Sequence, residues 1–114
     1  MTTSQLRRVV QSFRDDILGG PRSGNESRGM CFAVCAPLQG FLCFCGIQSK
    51  LVQQQFQYTN HVWLELPDGS IIDPTADQFL RLRLPPVYIG PLPRAYKRWS
   101  ARWGHVSRAI GKES

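Results

Sequence analysis

The chain has 114 residues, 42% of them apolar and 19% charged, with a formal net charge of +6. That length suits one domain with one core, and no run approaches the roughly 18 apolar residues of a membrane span. The N-terminal stretch MTTSQLRRVVQSFRDDIL has no apolar segment behind its basic residues, so no secretory signal is expected and the cytoplasm is the expected location.

Leu6, Val9, Val10, Phe13 and Ile17 recur at helical spacing behind Thr3 or Ser4 as a cap, which predicts a first helix. The Gly/Pro/Ser-rich segment 19–29 then reads as a loop. MCFAVCAPLQGFLCFCG follows, an apolar stretch suited to a buried helix, with Pro37 able to kink it and Gly46 as its stop. Cys31, Cys35, Cys43 and Cys45 all lie in this stretch. A disulfide framework is not expected without a secretory signal. The spacings C-x3-C and C-x-C do not make the paired C-x2-C knuckles of a zinc site, so no metal or other cofactor is expected. At least three of the four are expected to serve as small apolar core residues.

KLVQQQFQYT reads as a first strand leading into NHVWLELPDGSIIDPTADQF. There His61, Trp63 and Glu65 alternate with Val62, Leu64 and Leu66, a strand pattern, and Pro67-Asp68-Gly69 reads as a turn before Ile71 and Ile72. The turn length decides which side chains meet. A two-residue turn on Asp68-Gly69 would set Asp73 opposite Leu64, on the face away from His61. A three-residue Pro-Asp-Gly loop with Gly69 at positive φ pairs Leu66 with Ser70 and Trp63 with Asp73, making Asp73 a diagonal neighbour of His61. The Pro-Asp-Gly order favours the second register. Beyond it the chain is irregular, with one short strand at Val87 to Ile89. Tyr96, Trp99, Trp103, Val106 and Ile110 then mark one stripe of an amphipathic C-terminal helix. From Phe79 onward there are eight Lys or Arg against one acid, Glu113. Such a helix could meet nucleic acid or an acidic protein, or simply present a solvated basic face, which is favoured because its aromatics share the side that would be buried. The elements in order predict an α+β domain, a small antiparallel sheet packed against a Cys-headed buried helix and flanking helices.

Cys31 opens that helix after a Gly-rich loop, where the helix dipole favours a thiolate. A strand then supplies His61 and the next strand Asp73. Nucleophile, base and orienting carboxylate in that order form an acyl-transfer constellation. Cys35, one turn deeper in the helix, is the weaker candidate nucleophile, and His105 a minor competing base. Gln78 lies close enough to reach the site, although nothing in its spacing requires it.

GMCFAVCAPLQGFL, LVQQQFQ and NHVWLELPDGSIIDPTADQF together resemble the core of the transglutaminase-like branch of the papain-like cysteine hydrolase superfamily, over about residues 25–79. The resemblance implies a papain/transglutaminase-like fold in which Cys31 is the nucleophile, His61 the base and Asp73 the orienting carboxylate. The papain branch places an amide side chain six residues before the nucleophile, a position held here by Asn25. Arg28 lies near enough in sequence to bias the thiolate or hold an acidic group, and Trp63 is placed to wall the cleft. The expected activity is thioester-forming acyl transfer on a peptide or protein substrate, with hydrolysis or glutamine deamidation favoured over transamidation. The alternative is a binding protein that uses the basic aromatic C-terminal helix on nucleic acid or an acidic partner. No membrane partner is expected, and the oligomeric state is left open.

Overall fold

Thr2 caps helix α1, Thr3–Leu18, by accepting from the Gln5 N–H while the Gln5 side chain accepts from the Thr2 N–H; Gly19 ends it at φ 80°. The cap therefore lies one residue before the positions expected from sequence. In this computed structural model, residues 1–20, 30–56, 59–100 and 107–108 are described. Helix α2 spans Cys31–Phe44 and continues through Pro37. Pro37 lies on the exposed side of the helix, where a carbonyl deprived of its intrahelical donor can turn to water.

Strands β1 (Lys50–Gln55), β2 (Asn60–Glu65), β3 (Ile71–Asp73), β4 (Tyr88–Gly90) and β5 (Ser107–Arg108) form one antiparallel sheet in the order β4-β3-β2-β1-β5. Two 3-10 turns, Ala76–Gln78 and Leu80–Leu82, follow β3, and helix α3 spans Arg94–Ser100. The protein is thus α+β, with three helices among the described residues around a small antiparallel sheet.

The hairpin has the register that the Pro67-Asp68-Gly69 loop predicts. Leu64 faces Ile72 and Glu65 faces Ile71, the Leu66 N–H donates to the Ser70 carbonyl at 2.8 Å, and Gly69 sits at φ 91°. One step further along this register, Trp63 lies across from Asp73. The Asp68 carboxylate fixes the turn by accepting from the N–H and hydroxyl of Ser70.

Both faces of the sheet are covered. Leu51, Val62, Leu64 and Ile72 on one face join Val10 of α1 and Cys31, Cys35, Leu38 and Leu42 of α2. On the other face Val52, Trp63 and Ile71 join Phe56 and Tyr96, with Phe79 and Trp99 packed against them.

Three expectations are corrected. Helix α3 is described over Arg94–Ser100, and Ser107–Arg108 pairs with Val52 and Gln53 of β1 as a strand, so the expected helix does not run unbroken through Ser107 and Arg108. The open edge of β1 offers these residues a ladder of backbone partners, which outweighs the helical spacing of the aromatics. Trp103, Val106 and Ile110 lie outside the described residues. Cys43 and Cys45 are exposed, not core residues, because only one stripe of α2 meets the sheet. The outer stripe leaves Phe32 51% and Phe44 90% exposed. Finally, Trp99 is only half-buried, whereas Tyr96 is buried as its place in the stripe predicts.

Candidate active site

His61 is the second residue of β2, and its imidazole is completely buried. Its Nε2 donates to Asp73 Oδ2 at 2.6 Å, the diagonal contact that the three-residue turn makes possible. Asp73 is equally buried, and two further donors satisfy its carboxylate. The Thr75 N–H reaches Oδ1 at 3.1 Å. Pro74 has no N–H to give, so Asp73 turns to the next residue, as Asx side chains commonly do. The Tyr96 hydroxyl donates to Oδ2 at 2.5 Å.

With Nε2 engaged by Asp73, Nδ1 is the imidazole nitrogen left for the cysteine. Cys31 at the head of α2 is 8% exposed. Burial pushes its thiol up. The hydrogen bond and positive charge of His61, with the backbone N–H groups of Val62 and Phe32, outweigh that and hold it below the ordinary thiol value. The imidazole shows the reciprocal balance. Burial disfavours its charge, but the Asp73 carboxylate, with help from Cys31, raises it to about 9. The arrangement favours a thiolate beside an imidazolium near neutral pH.

Cys35, one turn below, has the opposite fate. It is wholly buried, its thiol donates to the Val62 carbonyl at 3.5 Å, and burial together with the charges of Asp73 and Cys31 pushes it well above the ordinary thiol value. The helix thus presents one activated sulfur and one held protonated.

Gln78 is brought into the site by the first 3-10 turn. Its Nε2 lies 3.1 and 3.0 Å from the carbonyl and hydroxyl oxygens of Thr75 and 3.3 Å from His61 Nδ1. An amide nitrogen has two hydrogens, and the two Thr75 oxygens are the closer acceptors. The contact with Nδ1 is therefore a hydrogen bond only when that nitrogen has no proton. This turn is tied to the first helix: Arg14 of α1, 1% exposed, places Nη2 at 3.1 and 3.3 Å from the two carboxylate oxygens of Asp77.

Trp63 is 2% exposed and packs against the imidazole, with ring centroids 5.7 Å apart, and against Phe56 and Tyr96. It backs His61 from within the core and does not line an open cleft, because β2 is covered on both faces. Phe79 meets the imidazole nearly at right angles, with centroids 4.7 Å apart. Together with Tyr96 these rings exclude water from the His61–Asp73 bond. Asn25, Arg28 and His105 lie outside the described residues. A concavity of about 440 Å³ lined by Gln48, Ser49, Lys50, Glu65, Leu66 and Pro67 lies at the turn end of the hairpin, away from His61.

Tyr96 and Arg14 had signals in the sequence that pointed only part of the way. Spacing marks Tyr96 as buried, and a buried phenol needs an acceptor, but the acceptor sits 23 residues away. Arg14 follows Val10 by one helical turn on the apolar face of α1, so a buried anion partner is required, with nothing local to name Asp77. Among the described residues there is no group of His, Cys, Asp and Glu arranged to hold a metal, and no helix long and apolar enough to cross a membrane. Comparison of the chain with models of known protein families, with curated proteins and with solved structures gives no match.

Proposed function

We propose that this protein is a cysteine-dependent acyl-transfer enzyme with a papain/transglutaminase-like core, hydrolysing a peptide or amide bond or deamidating a glutamine side chain. One observation carries the reading. A buried Asp73–His61 hydrogen bond stands behind a cysteine at a helix start whose thiol is lowered by that same imidazole.

The Cys31 thiolate attacks the carbonyl carbon of the substrate. The resulting oxyanion is met by backbone N–H groups at the start of α2, which have no intrahelical acceptor. His61 gives its Nδ1 proton to the leaving nitrogen, the C–N bond breaks, and a thioester on Cys31 remains. Neutral His61 then takes a proton from water, the hydroxide oxygen adds to the thioester carbon, and the acid leaves as the thiolate and imidazolium are restored. Asp73 keeps the imidazole oriented throughout. Cys35 takes no part.

The test is a timed iodoacetamide reaction on the native protein near pH 6, read by peptide mass spectrometry. An ordinary thiol is almost wholly protonated there. Exposure favours Cys43 and Cys45, so a nearly buried Cys31 that outruns them by on the order of tenfold must owe its rate to the thiolate. His61→Ala is expected to remove that advantage, and Asp73→Asn to reduce it. A Cys31 no faster than Cys43 or Cys45 overturns the reading and leaves a binding role for the basic C-terminal residues.

A further inference from the structure

The Tyr96 hydroxyl and His61 Nε2 converge on one oxygen of Asp73, at 2.5 and 2.6 Å. We infer that Tyr96 is a positioning residue of this site: its hydroxyl holds Asp73 in register with His61 and draws off part of the carboxylate's charge, so that the imidazole can give up its proton as well as carry it. The inference rests on the acyl-transfer reading for its purpose, though not for its geometry.

The donors around Asp73 leave the carboxylate little freedom. Oδ1 is fixed by the Thr75 N–H, and Oδ2 is shared. A carboxylate oxygen that accepts two hydrogen bonds offers each less charge than one that accepts a single bond. The phenol is neutral and stays so, because burial and the neighbouring Asp73 charge push its ionisation far above the usual range. It therefore gives Asp73 a hydrogen bond without a competing cation, and it points the positive end of its O–H dipole at the oxygen bound to His61. Both effects weaken the hold of Asp73 on the imidazolium. A histidine that must act first as acid and then as base works best with an affinity near the working pH, whereas Asp73 alone pulls His61 upward. The charged and titratable groups around the imidazole are Cys31 and Cys35 on α2, Asp73 on β3 and Tyr96 on α3, with Tyr88 of β4 acting on Tyr96. Asp77, on the adjoining turn, is paired with Arg14.

Helix α3, which follows β4 in the chain, covers the His61 face of the sheet through Tyr96. Tyr96 is the residue of α3 that is buried against both Trp63 and His61. Trp99, a turn later, packs on Phe56, on Phe79 and on the Tyr96 ring itself, so its truncation loosens the packing around the phenol while leaving the hydroxyl in place, and it serves as the control for packing alone.

The experiment is an NMR titration of the His61 imidazole in the full chain, in Tyr96→Phe and in Trp99→Leu, with the pH profile of Cys31 alkylation alongside. Tyr96→Phe is expected to move the His61 midpoint upward by about half a unit or more, a factor of roughly three in proton affinity. The upper limb of the alkylation profile should move with it. Trp99→Leu is expected to lower the melting temperature and leave the midpoint in place. An unmoved midpoint in Tyr96→Phe, or an equal movement in Trp99→Leu, overturns the inference. Should Tyr96→Phe fail to fold, Tyr58→Phe/Tyr88→Phe leaves Tyr96 as the sole tyrosine, and incorporating fluorotyrosine there makes the hydroxyl a stronger donor. The midpoint must then fall, and a constant or rising value overturns the inference. The titration needs no turnover, so a slow Cys31 in the iodoacetamide test would sink the enzymatic reading while this measurement still decides the role of Tyr96.

Discussion

On one face of the sheet, Val62, Leu64 and Ile72 meet Val10, Leu38 and Leu42 of the two long helices, and the interface is built from aliphatic side chains and two thiols. On the other, Trp63, Val52 and Ile71 meet Phe56 and Tyr96, and the same layer encloses the buried polar groups of His61, Asp73 and Gln78. The difference matters because aliphatic contacts are non-directional and tolerate small rearrangements, whereas a buried polar network needs every donor opposite its acceptor. The helix face supplies stability and sets Cys31 at a helix start. The aromatic face encloses the His61–Asp73 pair. Cys31 and His61 meet across this division at the Asn60 end of β2.

The sharpest way to break this contrast is a matched pair of truncations. Leu38→Ala removes a fully buried side chain from the helix face and is expected to cost about 2–5 kcal/mol. Trp63→Ala on the aromatic face is expected to cost about 3–5 kcal/mol. Both should lower the melting temperature. Only Trp63→Ala should also slow Cys31 alkylation in the protein that remains folded, because only Trp63 backs the imidazole. Equal slowing by both would show that the two layers act as one unit.

A second test uses pH. His61 is raised to about 9 from an ordinary 6.5. Its contribution to stability is therefore complete below pH 6.5 and lost as pH rises through 9, a span worth about 3 kcal/mol. Cys31 is lowered from 9.0, so its contribution is present above that value and lost as pH falls through its folded value. Between the folded Cys31 value and pH 9 the two oppose each other. The folded protein carries one proton on the imidazole, and the unfolded chain, above pH 6.5, carries one on the sulfur. The count is the same, and the pair adds no slope. Cys31→Ser removes the compensating thiolate. Its urea midpoint is expected to fall steadily from pH 6.5 toward 9, while that of the natural chain changes less. Parallel curves for the two proteins would show that no thiolate–imidazolium pair forms.

How far the sequence discloses each region follows from the range of the interactions. Period-2 alternation and Pro67-Asp68-Gly69 are local, and together they are enough to put Asp73 beside His61. The stripe Leu6, Val9, Val10, Phe13 and Ile17 is legible as the inner side of α1 in part: Val10 is buried and Leu6 and Phe13 pack against the core, whereas Ile17 at its end is 39% exposed. The aromatic layer is not local. Phe56, Phe79 and Tyr96 come from three separate segments, and no spacing reveals that Tyr96 ends on Asp73 or Gln78 on His61. The C-terminal stripe misled for a related reason: its 3-4 periodicity takes no account of the unpaired edge of β1, which draws Ser107–Arg108 into the sheet. For α2, an almost wholly apolar sequence implies burial all round, whereas the chain is too small to cover both sides, and Phe44, Cys43 and Cys45 remain outside.

The smallest expected effect concerns the far end of the same hairpin. Gly69 stands at φ 91° with no atom within 4 Å of where a β-carbon would sit, so Gly69→Ala meets no steric obstacle and its cost is purely conformational. A non-glycine residue in the left-handed region loses about 1–2 kcal/mol, which for a domain of this size lowers the melting temperature by roughly 4–8 °C for each kcal/mol. The paired strands beyond the turn are held by Leu64 against Ile72 and by both core layers, so the register is expected to survive the strain. Cys31 should then alkylate at its natural rate, and the His61 titration should not move. A Gly69→Ala protein whose Cys31 slows as much as in Asp73→Asn would mean that the strained turn had shifted by one residue. Asp73 would then face away from His61, and the three-residue turn, more than the cores on either side of it, would be what holds carboxylate and imidazole together.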